Sequence, residues 1–150
     1  MRHAYLWCLI AILAAEPARG SETWTLDKGS SCSLSRTDGG RPLSVTLAFL
    51  PDTTDQGVVS LAFDEPELMG DAKKALATLK FDDRKRQSHR IEMTPDGALL
   101  VPIVSLKMQK FLQTLSETTN LTIATRHGST SFNLDGIAAH IADLRDCAGS

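Results

Sequence analysis

The sequence is poor in the residues that most often build a reactive site or bind nucleic acid. It has four histidines and three cysteines, and its 16 basic residues are outnumbered by 18 acidic ones. A mildly acidic chain gives no reason to expect binding to nucleic acid or to an anionic membrane. The histidines and cysteines lack the spacings of zinc sites, and the motifs of serine hydrolases, P-loop proteins and dinucleotide-binding proteins are absent. These absences predict a protein without enzymatic activity, metal or cofactor.

The chain also lacks an apolar run long enough to cross a membrane. Residues 4–15 are apolar, whereas a transmembrane helix needs about 20 such residues. Arg2 precedes this run, and a segment with the small residues Ala18 and Gly20 follows it, which is the arrangement of a secretory signal peptide. We therefore expect cleavage before Ser21, localisation in the periplasm or outside the cell, and no integral membrane span.

Export determines the expected state of the cysteines. Residues 1–20 are the predicted signal peptide, and residues 21–150 are long enough for a single globular domain with a real core. Without the signal peptide, 14 of the 16 basic and 17 of the 18 acidic residues remain, a net charge of −3. Two cysteines also remain, Cys32 and Cys147, and an even number in an oxidising compartment indicates a disulfide. The alternative is a pair of free buried thiols.

The clearest local pattern is a helix, two strands and a second helix within residues 105–147. Apolar residues at helical spacing mark the two helices: Met108, Phe111, Leu112 and Leu115 in the first, with Ser105 as its cap, and Ile137, Ile141, Leu144 and Ala148 in the last. Alternation in residues 121–126 and 130–134 predicts a β-hairpin between them. Cys147 lies on the shoulder of the last apolar stripe, so its thiol should point inward.

The residues before this unit have mostly the alternation of β-strands. The predicted strands cover residues 24–26, 32–34, 43–50, 57–63, a segment that ends at Phe81 after a loop, 90–94 and 98–104. Pro102 indicates a sheet edge or a bulge. Strands that precede helices favour a β-rich α+β fold, with an antiparallel or sandwich-like sheet and two late helices on one side or end.

One cluster of positive charge is a candidate partner-binding site. Its members are Arg84, Lys85, Arg86 and Arg90, with Lys80 and His89 nearby. We place residues 84–89 on a loop that precedes the strand at 90–94. Such a loop could meet an acidic partner or a phosphorylated lipid headgroup. The alternative is a loop that is merely solvated.

The C-terminal unit also resembles a known family. An amphipathic helix, the strand Leu121-Thr122-Ile123-Ala124, Gly128, and the segment at residues 130–136 leading into Ile137-Ala138-Ala139 are similar to the end of bacterial invasion-associated locus B proteins. The resemblance covers about a third of the chain. It implies an exported envelope or periplasmic protein of β-rich fold, in a family linked to host-cell entry and not known by a catalytic site.

These observations lead to three hypotheses about function. The first is an exported, non-enzymatic protein of the bacterial envelope that binds a protein or another envelope component and resembles invasion-associated locus B proteins. The second is a periplasmic enzyme inhibitor or immunity-type protein, which would insert the loop at residues 84–89 into an enzyme's cleft. The third is a small hydrolase with an unfamiliar site.

Overall fold

The computed structural model describes residues 23–29, 31–53, 56–104 and 107–149. Its strands are β1 (Thr25–Lys28), β2 (Cys32–Asp38), β3 (Arg41–Phe49), β4 (Gly57–Phe63), β5 (Lys74–Phe81), β6 (Lys85–Met93), β7 (Leu99–Val104), β8 (Asn120–Thr125) and β9 (Gly128–Asn133). Its helices are α1 (Met108–Ser116) and α2 (Ile137–Ala148), with a short 3₁₀ helix at Pro66–Met69. The predicted signal peptide at residues 1–20, its cleavage site and Ser105 lie outside the described residues.

In this part of the chain the nine strands form one antiparallel sheet. Their order is β1-β2-β3-β4-β7-β6-β5-β8-β9. Most neighbours are consecutive hairpin strands, whereas the pairings of β4 with β7 and of β5 with β8 join the hairpins together. The prediction of a β-rich α+β fold, with an antiparallel sheet and two helices in the C-terminal third, is confirmed.

One face of the sheet forms the core because apolar residues alternate with polar ones along the strands. The most regular examples are Leu43, Val45 and Leu47 in β3, and Val59, Leu61 and Phe63 in β4, all of which are buried. Trp24, which precedes β1, is also buried, and its indole N–H donates a hydrogen bond to the Asp135 carbonyl oxygen over 3.0 Å.

The sheet curls until its last strand approaches its first strands. Phe63 of β4 and Phe132 of β9 meet edge to face with their ring centroids 5.8 Å apart, although four strands separate β4 from β9 in the sheet order. Arg41 of β3 donates hydrogen bonds to the Thr130 hydroxyl and the Ser131 carbonyl oxygen, both over 2.6 Å. These contacts tie β9 to β3 and close the curl.

Both helices pack against the apolar face of the curled sheet. The predicted stripes are confirmed: Met108, Phe111, Leu112 and Leu115 are buried in α1, and Ile137, Ile141 and Leu144 in α2. The predicted disulfide is also present, between Cys32 at the start of β2 and Cys147 in the last turn of α2, whose Cα atoms lie 6.0 Å apart. The disulfide joins the N-terminal strands to the last helix.

The middle of the chain contains one correction. The loop predicted before the strand that ends at Phe81 is confirmed, with the 3₁₀ helix before it. The loop predicted at residues 84–89 is wrong, because β6 already begins at Lys85 and not at Arg90. In the first half of β6, residues 85–90, the outward side chains are polar. The inward side chains of Gln87 and His89 are polar as well, so the apolar alternation that marks a strand is missing.

Within the described residues, no helix is long and apolar enough to cross a membrane.

Candidate functional site

The predicted basic cluster lies on the β5–β6 hairpin, where Arg84 belongs to the turn. Asp82 in the same turn accepts hydrogen bonds from the backbone N–H groups of Asn120, over 2.8 Å, and Thr119. Both bonds lower the pKa of the Asp82 carboxyl group, and the bond from Asn120 has the larger effect. Arg84 lies 3.5 Å from this carboxylate and donates to the Glu117 carbonyl oxygen. Arg84 therefore takes part in bracing the hairpin against the loop between α1 and β8.

The other members of the predicted cluster divide between the two faces of β6. Lys85 lies on the inward side, whereas Arg86 and Arg90 project outward, since neighbouring residues in a strand point to opposite faces. Arg90 lies opposite Leu76 of β5, a leucine that is 74% exposed. Among the described residues, neither Arg86 nor Arg90 forms an ion pair. The structure thus brings Arg86 and Arg90 to one face and separates Lys85 from them.

The inward side of β6 borders a cleft of about 340 Å³, which we call the basic cleft. It is lined by Gln87, Ser88, His89, Ile103, Lys107, Lys110 and Phe111. Ile103 and Phe111 are buried and make the apolar part of the lining, whereas Lys107 and Lys110 are exposed at its rim. Among the described residues that line it, none is acidic. A cleft with these walls suits an occupant that carries both apolar and negatively charged groups.

The basic cleft exists because the sheet opens between β6 and β7. These two strands pair only at Glu92 with Leu100 and at Met93 with Leu99. If the same register continued, Arg90 would face Pro102. Proline has no backbone N–H to donate across the ladder, so the pairing loses a hydrogen bond at this position. The edge that Pro102 predicted is therefore a local one, inside the sheet.

His89 adds an imidazole to the wall of the basic cleft. Its Nε2–H donates a hydrogen bond to the Gln87 side-chain oxygen over 2.8 Å, and its ring meets that of Phe111 with centroids 5.9 Å apart. Burial, and secondarily the positive charge of Lys107, lowers the pKa of His89 from its ordinary value of 6.5. A neutral imidazole at neutral pH can form part of an apolar wall and also offer a hydrogen bond.

Two pairs of acidic residues that are close in the sequence, Glu65 with Glu67 and Asp82 with Asp83, have contacts of their own. Glu65 and Glu67 share a hydrogen bond that raises the pKa of Glu65, and Glu65 lies 3.6 Å from Arg41. Asp83 forms an ion pair with Lys80 over 3.2 Å. In the part of the chain that the structure describes, no three His, Cys, Asp or Glu side chains gather in a way that could hold a metal ion.

The sequence did not indicate that Lys107 and Lys110 would join the site, because they reach β6 only through the packing of α1. A signal was present in Pro102, which marks where β7 leaves β6.

No protein-family model matches this chain, and no curated protein sequence or solved structure shows significant similarity to it.

Proposed function

We propose that this protein is an exported, non-enzymatic binding protein of the bacterial envelope that recognises an acidic region of another protein. The observation that carries the proposal is the grouping of cations beside one cleft in a chain of net negative charge. Lys107 and Lys110 stand at the rim of the basic cleft, and Arg86 and Arg90 project from the outer face of the strand that forms its wall, so cations flank this strand on both faces. Such a field attracts acidic partners and raises their association rate.

Exposed apolar surface next to these cations also supports a binding role. Leu76 is 74% exposed and lies directly opposite Arg90 on the outer face of the β5–β6 hairpin. An apolar residue beside unpaired arginines is a common composition at the core of protein interfaces, where arginine is enriched. The resemblance of the C-terminal unit to invasion-associated locus B proteins agrees with an envelope location and remains a prediction.

Charge reversal tests the proposal. We expect the double variant Arg86→Glu, Arg90→Glu to lose the partners that the wild-type protein captures from a bacterial envelope extract at low salt. The matched control is Lys28→Glu, Arg126→Glu, which also reverses two exposed charges, one on β1 and one in the turn between β8 and β9. Capture of the same partners by all three proteins would show that the arginines are merely solvated. Circular dichroism of each variant verifies folding.

Export has its own test. Mass spectrometry of the protein produced in a secreting bacterial host should find a chain that begins near Ser21. A cytoplasmic product that retains Met1 would contradict the proposed location.

The inhibitor hypothesis predicts that the captured material is one stoichiometric enzyme, whereas an envelope accessory protein should return a complex. An activity screen with cell-wall and ester substrates addresses the hydrolase hypothesis.

A further inference from the structure

The half of β6 beside the basic cleft has one paired and one open edge. In an antiparallel ladder, the backbone groups of successive residues point alternately to the two neighbouring strands. Met93 donates to the Lys73 carbonyl oxygen on the β5 side, over 2.9 Å, and Thr94 donates to the Ala98 carbonyl oxygen on the β7 side, over 2.8 Å. Odd-numbered residues of β6 therefore bond to β5, and even-numbered residues face β7.

The open edge consists of the backbone N–H and C=O groups of Arg86, Ser88 and Arg90. They face the β7 side, but the pairing with β7 ends at Glu92 and Leu100. Among the strands that the structure describes, β6 has no other neighbour on this side. An edge of this kind is a template for a further strand. Its main-chain groups supply affinity without regard to sequence.

We propose that this open edge binds an extended acidic segment of a partner protein, which adds a strand to β6 and places alternate side chains in the basic cleft. The inference rests on the proposed function and specifies how the partner is held. One inward side chain of such a segment would lie over Phe111 and Ile103. An acidic side chain two residues away would reach Lys107 or Lys110, since alternate residues of a strand share a face.

The charges of β6 favour an acidic segment over a second copy of this protein. Two β6 strands paired antiparallel about Ser88 would place Arg86 of one copy opposite Arg90 of the other. Like charges directly opposite each other destabilise a strand pair. An acidic segment instead places carboxylates beside both arginines on the outer face. The same arginines thus oppose self-association and favour the proposed occupant.

The experiment uses a fluorescent peptide that repeats Glu-Glu-Val-Glu, capped at both ends, and the whole mature protein. In an extended strand, one face of this peptide alternates valine with glutamate and the other face carries glutamate alone. We expect saturable binding, and slower amide hydrogen exchange at Arg86, Ser88 and Arg90 when the peptide is bound. The amides of Gln87 and His89 serve as internal controls, because they already face β5. Ser88→Pro removes one donor from the open edge and should weaken peptide binding about tenfold, whereas Ser88→Thr should not.

Three outcomes would overturn the inference. The first is that the peptide does not bind at millimolar concentration. The second is that the peptide binds but the amides of Arg86, Ser88 and Arg90 exchange as fast as before. The third is that polyphosphate of equal charge displaces the peptide and these three amides are unprotected in both complexes. If Ser88→Pro fails to fold, the exchange pattern of the wild-type protein decides. Peptide binding that is lost in Arg86→Glu, Arg90→Glu without any edge protection would refute strand addition and leave the proposed function intact. The envelope capture experiment tests that function separately.

Discussion

Removing the disulfide between Cys32 and Cys147 should lower stability without abolishing the fold. The bridge joins residues 115 positions apart, so it closes most of the described chain into one loop. In the chain-entropy model, closing a loop of this length stabilises the folded state by about 5 kcal/mol. This is a large fraction of the stability of an ordinary domain. For a domain of this size, it corresponds to a fall in Tm of roughly 15–20 °C.

The structure also indicates why the reduced protein should still fold at low temperature. Ile137, Ile141 and Leu144 of α2 are buried in the core, and reduction of the bridge removes none of these side chains. Burial of each such side chain stabilises the fold by about 1.5–3 kcal/mol. The helix should therefore stay docked until it is heated.

The assay is thermal unfolding followed by circular dichroism, for the wild-type protein with and without reductant and for the variant Cys32→Ser, Cys147→Ser. Reductant should lower the wild-type Tm to that of the variant and leave the variant unchanged. Free-thiol titration of the denatured, unreduced protein should find no thiol. Two titratable thiols, or equal Tm values throughout, would refute the argument.

Four further predictions concern single positions. Gly57→Ala should destabilise the protein by about 2–3 kcal/mol in chemical denaturation, because the new Cβ would lie 2.1 Å from the Ala48 carbonyl oxygen of β3. The control is Gly29→Ala, which should be neutral because the nearest atom to its Cβ would lie 3.9 Å away. Asp82→Asn should lower the free energy of unfolding by about 1 kcal/mol at pH 7. The difference in stability between the wild-type protein and this variant should shrink as the pH falls below 3.8, the ordinary aspartate pKa, because protonation of Asp82 removes the charged acceptor that the variant also lacks. Burial lowers the pKa of His89, so the unfolded chain binds its proton more readily, and stability should fall as the pH drops below 6.5; His89→Gln should reduce this dependence. Pro102→Val restores the missing donor, so we expect slow amide exchange at this position and weaker binding of the acidic peptide.

The sequence predicted the elements whose signal is local. The stripe of Ile137, Ile141 and Leu144 and the alternation in β3 each depend on a few neighbouring residues. The pairing of Cys32 with Cys147 followed from counting, because two cysteines allow one intramolecular bridge. In each of these cases no knowledge of distant packing was required.

The first half of β6 could not be predicted in this way. Gln87 and His89 point inward, but they face the basic cleft instead of the core, so the polar residues at these positions hide the period of the strand. Lys107 immediately precedes α1, and its place beside His89 depends on how that helix packs. Local periodicity gives no information about either arrangement.

The same missing alternation is an argument that this half of β6 serves binding. A strand that only completed the core would bury apolar residues at positions 87 and 89, as β6 does at Ile91, which is fully buried. Instead the strand keeps polar groups there, at the place where Pro102 prevents β7 from pairing. Loss of a ladder hydrogen bond and loss of apolar burial are both unfavourable to folding. Both features occur together beside a cleft rimmed by lysines. A surface that accepts an incoming strand needs this combination, because the strand requires an open edge to pair with and a cleft for its side chains.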